Sequence, residues 1–543
     1  MRQLTALDAQ FLNVETPTTA AHVAGLAILD SADGAVTRRA LAELLLDRVH
    51  LSPALSLRLA EVPLGLDHPY WAADPHFDID NHLFELTLPL PGDDWQLAEA
   101  VAQVHARRLD RAHPLWEMHL IHGLGDGKVA VYTKVHHAAI DGVSGAETLA
   151  TLLDLTPDGH LTSRRCRPTA RNGSPAQAAG AGSARIHGPD PAHTRATEPS
   201  GSRDTDPATT SHDLAPAHPR THDAPTLIGM LTGAALRTAT HPVRAIQSAV
   251  KAAGDLDAIP VIGAIPGANL VAKAARMVAR DQHRRPDLPA LVVPRTPLNG
   301  PISARRHLSF GSLPLKDVKK VAKANGMSVN DVVMTLCTSA LRSWLRERNA
   351  LPEAPLVVAV PVAVRRAKAQ DLMGNQISAM VAPMPTNLPD PRERLQAVGT
   401  AMGRAKRRFA LAPATWLNEL CSLLPAPVTT LVTPAIFRLA GMACPPINLI
   451  VSNVPGPQFP LYLCGGRVLS YYPLSVLTDM SGGLNITCFS YDGMLDFGIV
   501  ACPERADDVW GLLEHLRTAL DELLDERVSD EFRDGVGVDL VAR

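Results

Sequence analysis

Aromatic side chains are scarce in this 543-residue sequence, at 4%. Without a supply of Phe, Tyr and Trp there is no platform on which the bases of a single-stranded nucleic acid would stack. Charge of one sign is also lacking. The 52 Lys and Arg nearly balance the 55 Asp and Glu, leaving a formal net charge of −3, so nothing pulls globally on nucleic acid. The seven cysteines, Cys166, Cys337, Cys421, Cys444, Cys464, Cys488 and Cys502, are odd in number and far apart, with no Cys-x-x-Cys pair. That argues against a disulfide framework and a thiolate zinc site, and it suits a reducing compartment. The opening Met1–Asp8 lacks the basic-then-apolar pattern of a secretory leader. Two charge-free stretches, 421–437 and 439–466, are broken by prolines, among them Pro425, Pro427 and Pro434 in the first and Pro445, Pro446, Pro455, Pro457 and Pro460 in the second. A spanning helix needs roughly 20 mainly apolar residues with a continuous backbone ladder, and neither stretch reads that way. The expectation is a cytoplasmic protein, soluble or peripheral at a membrane, with no transmembrane helix.

What is present is enough for a large core. The hydrophobic share is 46%, and the length calls for two or more domains. Periodicity and caps place an extended run at His22–Leu29, a helix from Thr37 to about Val49, and a second helix from about Asp94 to Leu109. The alternating runs 114–121 and 128–135, joined by Gly123-Leu124-Gly125-Asp126-Gly127, read as a hairpin. From 161 to 225 the chain turns to Ser, Thr, Pro, Gly, His, Asp and Arg with few large apolar residues. Such a segment cannot bury enough surface to offset its entropy and is expected to be a disordered linker. Its histidines, including His187, His193, His212, His218 and His222, are irregularly spaced and read as solvated, not as a metal site. Residues 226–290 are helical and apolar with basic residues along them, a pattern shared by a packed helical crossover and a membrane-surface helix. In 291–543, strands and helices alternate again, with Ser328 capping a long helix from Val329 to Arg348. The fold class is α/β: an N-terminal domain over 1–160, the linker, the crossover and a C-terminal domain over 291–543, with strands and helices mixed in each half.

The chain is organised around Lys134-Val135-His136-His137-Ala138-Ala139-Ile140-Asp141-Gly142. Val129, Val131, Thr133 and Val135 share one face of a strand that ends in the two histidines, a position that presents side chains to a cleft from a rigid support. Histidine is suited to taking a proton near neutral pH. Adjacent histidines leaving a strand point apart, so one faces the cleft while the other anchors the loop. A metal pair lacks a third ligand and the His-x3-His spacing of a helical zinc site. A Ser nucleophile would need a Gly-x-Ser-x-Gly elbow, which Gly142-Val143-Ser144-Gly145 does not supply. The motif alone leaves a structural pair and a general base both open.

His136-His137-Ala138-Ala139-Ile140-Asp141-Gly142 resembles the HHxxxDG motif of the CoA-dependent acyltransferases, a superfamily that includes chloramphenicol acetyltransferase and peptide-synthetase condensation domains. Pro114-Leu115-Trp116, Ser328-Val329-Asn330-Asp331-Val332 and Val451-Ser452-Asn453-Val454-Pro455-Gly456-Pro457, in this order, narrow the resemblance to the bifunctional wax ester synthase/acyl-CoA:diacylglycerol acyltransferase family. Leu4–Phe11 and Thr296–Ser303 are similar to that family's openings of its two halves. The long linker and Ala21-His22-Val23, where Met-His-Val is more usual, depart from it. The resemblance implies two chloramphenicol-acetyltransferase-like mixed-sheet domains meeting at a central cleft. It also implies transfer of a long-chain acyl group from acyl-CoA to diacylglycerol or a long-chain alcohol, with acyl-CoA as co-substrate and neither cofactor nor metal. His137 would be the general base, His136 would shape the loop, and Asp141 and Gly142 would hold the turn. Asn330 and Asp331 would support the site from the second domain, with helix capping as the alternative role for Asn330. Pro114, Leu115 and Trp116 would line the substrate path or pack the core, and Asn453 would order a wall of the tunnel. A related transferase with a polar alcohol acceptor, or a non-catalytic lipid-binding protein on the same fold, are the competing functions. The partners implied are acyl-CoA, the lipid acceptor and a membrane or lipid-droplet surface, not nucleic acid.

Overall fold

The computed structural model describes residues 2–31, 34–140, 151–158, 226–227, 229–235, 291–363, 377–411, 421, 425–443 and 445–536. The expected linker at 161–225 and most of the crossover at 226–290 lie outside the described residues. The crossover's first turn is described and is helical, with Met230 and Ala234 packed on Val62.

Two six-stranded mixed sheets form the body. The first runs β12-β13-β2-β7-β6-β5. In chain order its strands are β2 (His22–Asp30), β5 (Leu83–Thr87), β6 (Trp116–His122), β7 (Lys128–His136), β12 (Tyr462–Leu463) and β13 (Gly466–Leu474). The second runs β10-β9-β11-β14-β15-β8, from β8 (His307–Pro314), β9 (Leu356–Ala363), β10 (Ile377–Met384), β11 (Leu449–Pro455), β14 (Leu484–Tyr491) and β15 (Met494–Ala501). A small sheet pairs β1 (Arg2–Gln3) and β3 (Leu57–Ala60) on either side of β4 (Tyr70–Ala73). The division at the linker is one of sequence, not of sheets. β12 and β13 come from the second half, yet β13 pairs antiparallel with β2 of the first. Leaving the first sheet, the chain re-enters the second at β14, and β13 packs against β14 and β15. The reading of 439–466 as a proline-rich apolar region gave no sign of this exchange.

Besides the crossover's first turn, the α-helices among the described residues are α1 (Ala6–Asn13), α2 (Arg38–Arg48), α3 (Pro53–Ser56), α4 (Asp94–His105), α5 (Leu315–Ala324), α6 (Val329–Glu347), α7 (Pro391–Leu411), α8 (Ala426–Ala443) and α9 (Val509–Val536). Local chemistry sets their starts. Thr37 accepts from the Ala40 amide, as the cap reading requires. Asp93 with Gln96 and Ser328 with Asp331 form reciprocal capping boxes. Helix α4 stops at His105, short of the expected Leu109, which is nevertheless buried. One reading is corrected in part: Pro434 does not break the helix in which it lies. Helix α8 runs through Pro434 and is long and apolar enough to cross a membrane by length and composition. A proline removes one amide donor from the ladder and crowds the preceding turn, while most of the 18-residue helix keeps its bonds.

The hairpin β6–β7 forms as the alternation predicts. Val129, Val131 and Val135 lie together in one core cluster with Leu41, Leu45 and Trp116. The opposite face carries Ala130 and Tyr132 and packs on Leu97 and Val101 of α4, and on Leu308, Phe310 and Val500 of the second sheet. The second half buries its own core between its sheet and α5, α6, α7 and α9.

Candidate active site

The motif begins at the end of β7, where His136 pairs in register with His22 on β2. Directly opposed residues of an antiparallel pair share a face, so both imidazoles point to the α4 side of the sheet. His136 is 1% exposed. Its backbone amide donates to Leu115 O at 2.9 Å, and its Nδ1 accepts from the Ala138 amide at 3.0 Å. That acceptor role leaves the proton on Nε2. Nε2 lies 3.4 Å from Oε1 of Glu15, within ion-pair range but off the direction of a well-formed hydrogen bond.

Glu15 is the residue that sequence reading did not find. Its side chain is 2% exposed. Oε1 accepts from the Ala21 amide at 3.1 Å and Oε2 from Arg111 at 2.8 Å. Burial by itself would raise its pKa. His136, Arg111 and the Ala21 amide outweigh that and hold the carboxyl at about 2. The carbonyl of Ala21 in turn accepts from the His137 amide at 2.8 Å. One carboxylate therefore faces the ring of His136 and, by binding the Ala21 amide, steadies the residue whose carbonyl accepts from the His137 amide. The loop carrying Glu15 is held from the second half, where buried Arg306 donates to Thr18 O at 2.7 Å. A glutamate within a mostly apolar opening segment, seven residues after Asp8, was the available signal. Nothing in the spacing couples it to positions 111 or 136.

His137 leaves the strand in a turn and is half-buried. Its ring stacks on Phe11 of α1, with centroids 3.9 Å apart and planes inclined by 3°. The two neighbours thus divide as expected for adjacent histidines, one sealed inside the sheet and the other at a partly open turn. Asp141 and Gly142 lie outside the described residues, as does any arginine contact of Asp141.

Leu115 and Trp116 are buried behind the motif. Trp116 donates from Nε1 to Leu55 O at 2.9 Å and stacks on His82 at 4.4 Å. Leu115 joins Ala138 in a cluster with Leu4, Leu12 and Leu109. Pro114 is buried beside them. These three residues support the turn through packing and through the Leu115 carbonyl.

In the second half, Asp331 closes the α6 capping box and pairs with Lys406 at 3.4 Å. Capping thus falls to Ser328 and Asp331, leaving Asn330 for another task. Asn330 Oδ1 accepts from Asn453 Nδ2 at 3.3 Å, and Asn453 Oδ1 accepts from the Cys488 thiol at 3.4 Å. With Oδ1 of Asn330 engaged as the acceptor, its Nδ2 is the donor end of that amide. Val454, next to Asn453, and Ala139 of the motif pack against the same core cluster. Gly456 allows the following turn, because a Cβ there would lie 2.3 Å from the Phe489 ring.

Beside Glu15 opens a cleft of about 560 Å³ lined by Arg107, Arg108, Leu109, Asp110 and Arg111. Buried Lys134 lies next to it, donating to Arg107 O at 3.0 Å and pairing with Glu117 at 3.1 Å. Among the described residues no group of three or more His, Cys, Asp and Glu side chains is arranged to hold a metal ion.

Residues 4–333 match the model of the wax ester synthase/diacylglycerol acyltransferase catalytic domain, and residues 373–524 match the C-terminal domain of the same family. The chain belongs to the wax ester synthase/diacylglycerol acyltransferase family. It is 32% identical over 528 residues to a Mycobacterium tuberculosis protein named as a diacylglycerol O-acyltransferase, covering 97% of this chain and 90% of that one. It is 31% identical to tgs2 of the same organism, also named so, covering 95% and 97%. Among solved structures it is similar to the wax ester synthase/diacylglycerol acyltransferase of Marinobacter aquaeolei VT8, with a TM-score of 0.61, 26% identity and coverage of 96% and 98%. The first condensation domain of the calcium-dependent antibiotic synthetase shares the fold at 15% identity, with a TM-score of 0.51 and 97% of each chain covered. This acyltransferase family therefore carries its two-domain, mixed-sheet architecture here.

Proposed function

We propose that this acyltransferase moves a long-chain acyl group from acyl-CoA to the free hydroxyl of diacylglycerol, and to a long-chain alcohol where one is offered. The observation that carries the reading is the divided histidine pair. His136 is sealed inside the sheet facing Glu15, and His137 stands at the partly open turn with its amide on the carbonyl of Ala21, whose own amide is bound by the same carboxylate. His137 takes the proton of the acceptor hydroxyl as its oxygen attacks the thioester carbonyl. The tetrahedral intermediate collapses by breaking the carbon–sulfur bond, and the departing thiolate recovers the proton from His137. No acyl-enzyme and no cofactor enter this balance. Base catalysis contributes roughly 10²–10⁴-fold, so positioning and charge stabilisation supply the rest. Asn330 Nδ2 is a donor suited to the second role.

The cleft beside Glu15 suits the anionic head of acyl-CoA. Arg107 and Arg108 offer it exposed guanidinium groups, while Arg111 is held by Glu15. The acceptor is insoluble in water, so the enzyme works at a lipid surface, the cytoplasmic face of a membrane or a lipid droplet.

Labelled palmitoyl-CoA offered with dioleoylglycerol and hexadecanol tests the reaction. Labelled triacylglycerol or wax ester is the expected product, and His137→Ala is expected to lose it while keeping the parent's melting temperature. Ester formation that survives His137→Ala refutes the assignment of the base. No ester with either acceptor from folded protein would favour a polar acceptor alcohol.

A further inference from the structure

Helix α8 is built inside out. Its buried positions are Thr429, Thr433 and Gly441, while Leu431 is 79% and Leu439 66% exposed, and Val428, Ile436 and Met442 are exposed with them. A helix on a water-facing surface turns its large apolar residues inward. The reverse order, with small and hydroxyl residues against protein and large apolar ones outward, is the order of helices that meet lipid. Arg438 is the single charged residue in the helix and is exposed, placed to reach toward headgroup phosphates along its apolar stem.

The helix is also firmly seated. Thr433 Oγ1 accepts from Gln10 of α1 at 2.9 Å, and Thr430 donates to Asn13 at 3.2 Å. Arg295 caps its last carbonyls, on Met442 and Ala443, at 2.8 and 2.9 Å. Gly441 lies so close to the Asp479 carbonyl that a Cβ would come within 2.1 Å of its oxygen. With one long face given to the protein, only the other is open. That geometry fits a helix lying in the plane of an interface, sunk by roughly 5–10 Å, and not one that spans a bilayer. The same α1 that holds α8 carries Phe11, whose ring stacks on His137.

We propose that the outer face of α8 is the surface by which the enzyme docks on lipid, and that its seat on α1 sets the docked bilayer beside His137. A diacylglycerol then passes from the lipid to the base across one helix, without a passage through water. This deepens the proposed function and rests on its reading of the acceptor as a lipid.

Leu431→Ser/Leu439→Ser changes only exposed side chains and leaves the seat on α1 intact. The full-length parent and this variant are floated with vesicles of phosphatidylcholine and phosphatidylglycerol containing dioleoylglycerol. Both are also assayed with palmitoyl-CoA on the vesicle acceptor and on hexanol in true solution. The parent is expected to float. The variant should lose at least about tenfold in both vesicle binding and vesicle activity, and keep its activity on hexanol. A variant that floats as well as the parent overturns the assignment of the face. So does a parent whose sedimentation shows a dimer that the variant lacks, since a second copy would then cover α8. Flotation that is lost in the variant, with no ester from any acceptor, upholds the docking face and refutes the reaction instead.

Discussion

Glu15→Gln removes the charge that faces His136 and binds the Ala21 amide while keeping the shape of the side chain. The size of its effect follows from the structure. In the folded protein the carboxyl is held at about 2 against an ordinary 4.5. It is 2% exposed, so solvent screening takes little from the interaction, and the difference corresponds to about 3 kcal/mol. The sign follows from linkage. A carboxyl whose folded pKa is depressed contributes stability that is complete above about pH 4.5 and is lost as pH falls through about 2. By pH 3 about 2 of those 3 kcal/mol are gone. Urea unfolding of the parent and Glu15→Gln at pH 6, 4.5 and 3 should therefore show a gap that narrows by about 2 kcal/mol toward acid. The kinetic consequence is separate. The Ala21 amide and Arg111 lose an anionic acceptor and His136 loses the charge it faces, so the turn bearing His137 loosens while Arg107 and Arg108 of the neighbouring cleft are untouched. A displacement of about 1 Å at a reacting group costs on the order of 10²-fold. Initial rates should accordingly show kcat falling about 10- to 100-fold with KM for palmitoyl-CoA little changed. A stability gap independent of pH, or a loss confined to KM, would refute the bracing role.

Asp496 titrates in the opposite sense. Its fully buried carboxylate accepts from Ser312 and the Tyr471 amide where the two sheets meet, and burial raises it from 3.8 to about 6. A raised folded pKa contributes stability that is present below about 4 and lost as pH climbs through 6. Relative to the parent, Asp496→Asn should therefore gain about 2.4 kcal/mol between pH 4 and pH 7.5 in urea unfolding, and a constant difference would refute this. Replacing Arg107 and Arg108 together by Ala should raise KM for palmitoyl-CoA about tenfold or more. It should leave KM for the palmitoyl thioester of N-acetylcysteamine, which lacks the phosphates, unchanged. Equal effects on both thioesters would remove the CoA head from that cleft.

Much of this architecture is written in short stretches of sequence. The alternation in 128–135 builds β7, and Thr37 and the Ser328–Asp331 box start α2 and α6 by chemistry confined to one turn. The motif itself marks where β7 ends. The family follows from four such stretches in order, because each is local. Other features were closed to this kind of reading for a definite reason. That β13 leaves its own half to pair with β2 depends on an edge of the first sheet being open, which no local pattern encodes. The prolines of 421–437 suggested a broken chain, because a helix tolerates the loss of one donor only when its other contacts hold it, here the bonds from α1 and Arg295. The sequence by itself determined that two histidines would stand at the end of a strand. Only the tertiary structure decided which of them is sealed and which stands at a partly open turn, because that choice rests on a carboxylate, an arginine and a phenylalanine brought from distant segments by the packing of the sheet.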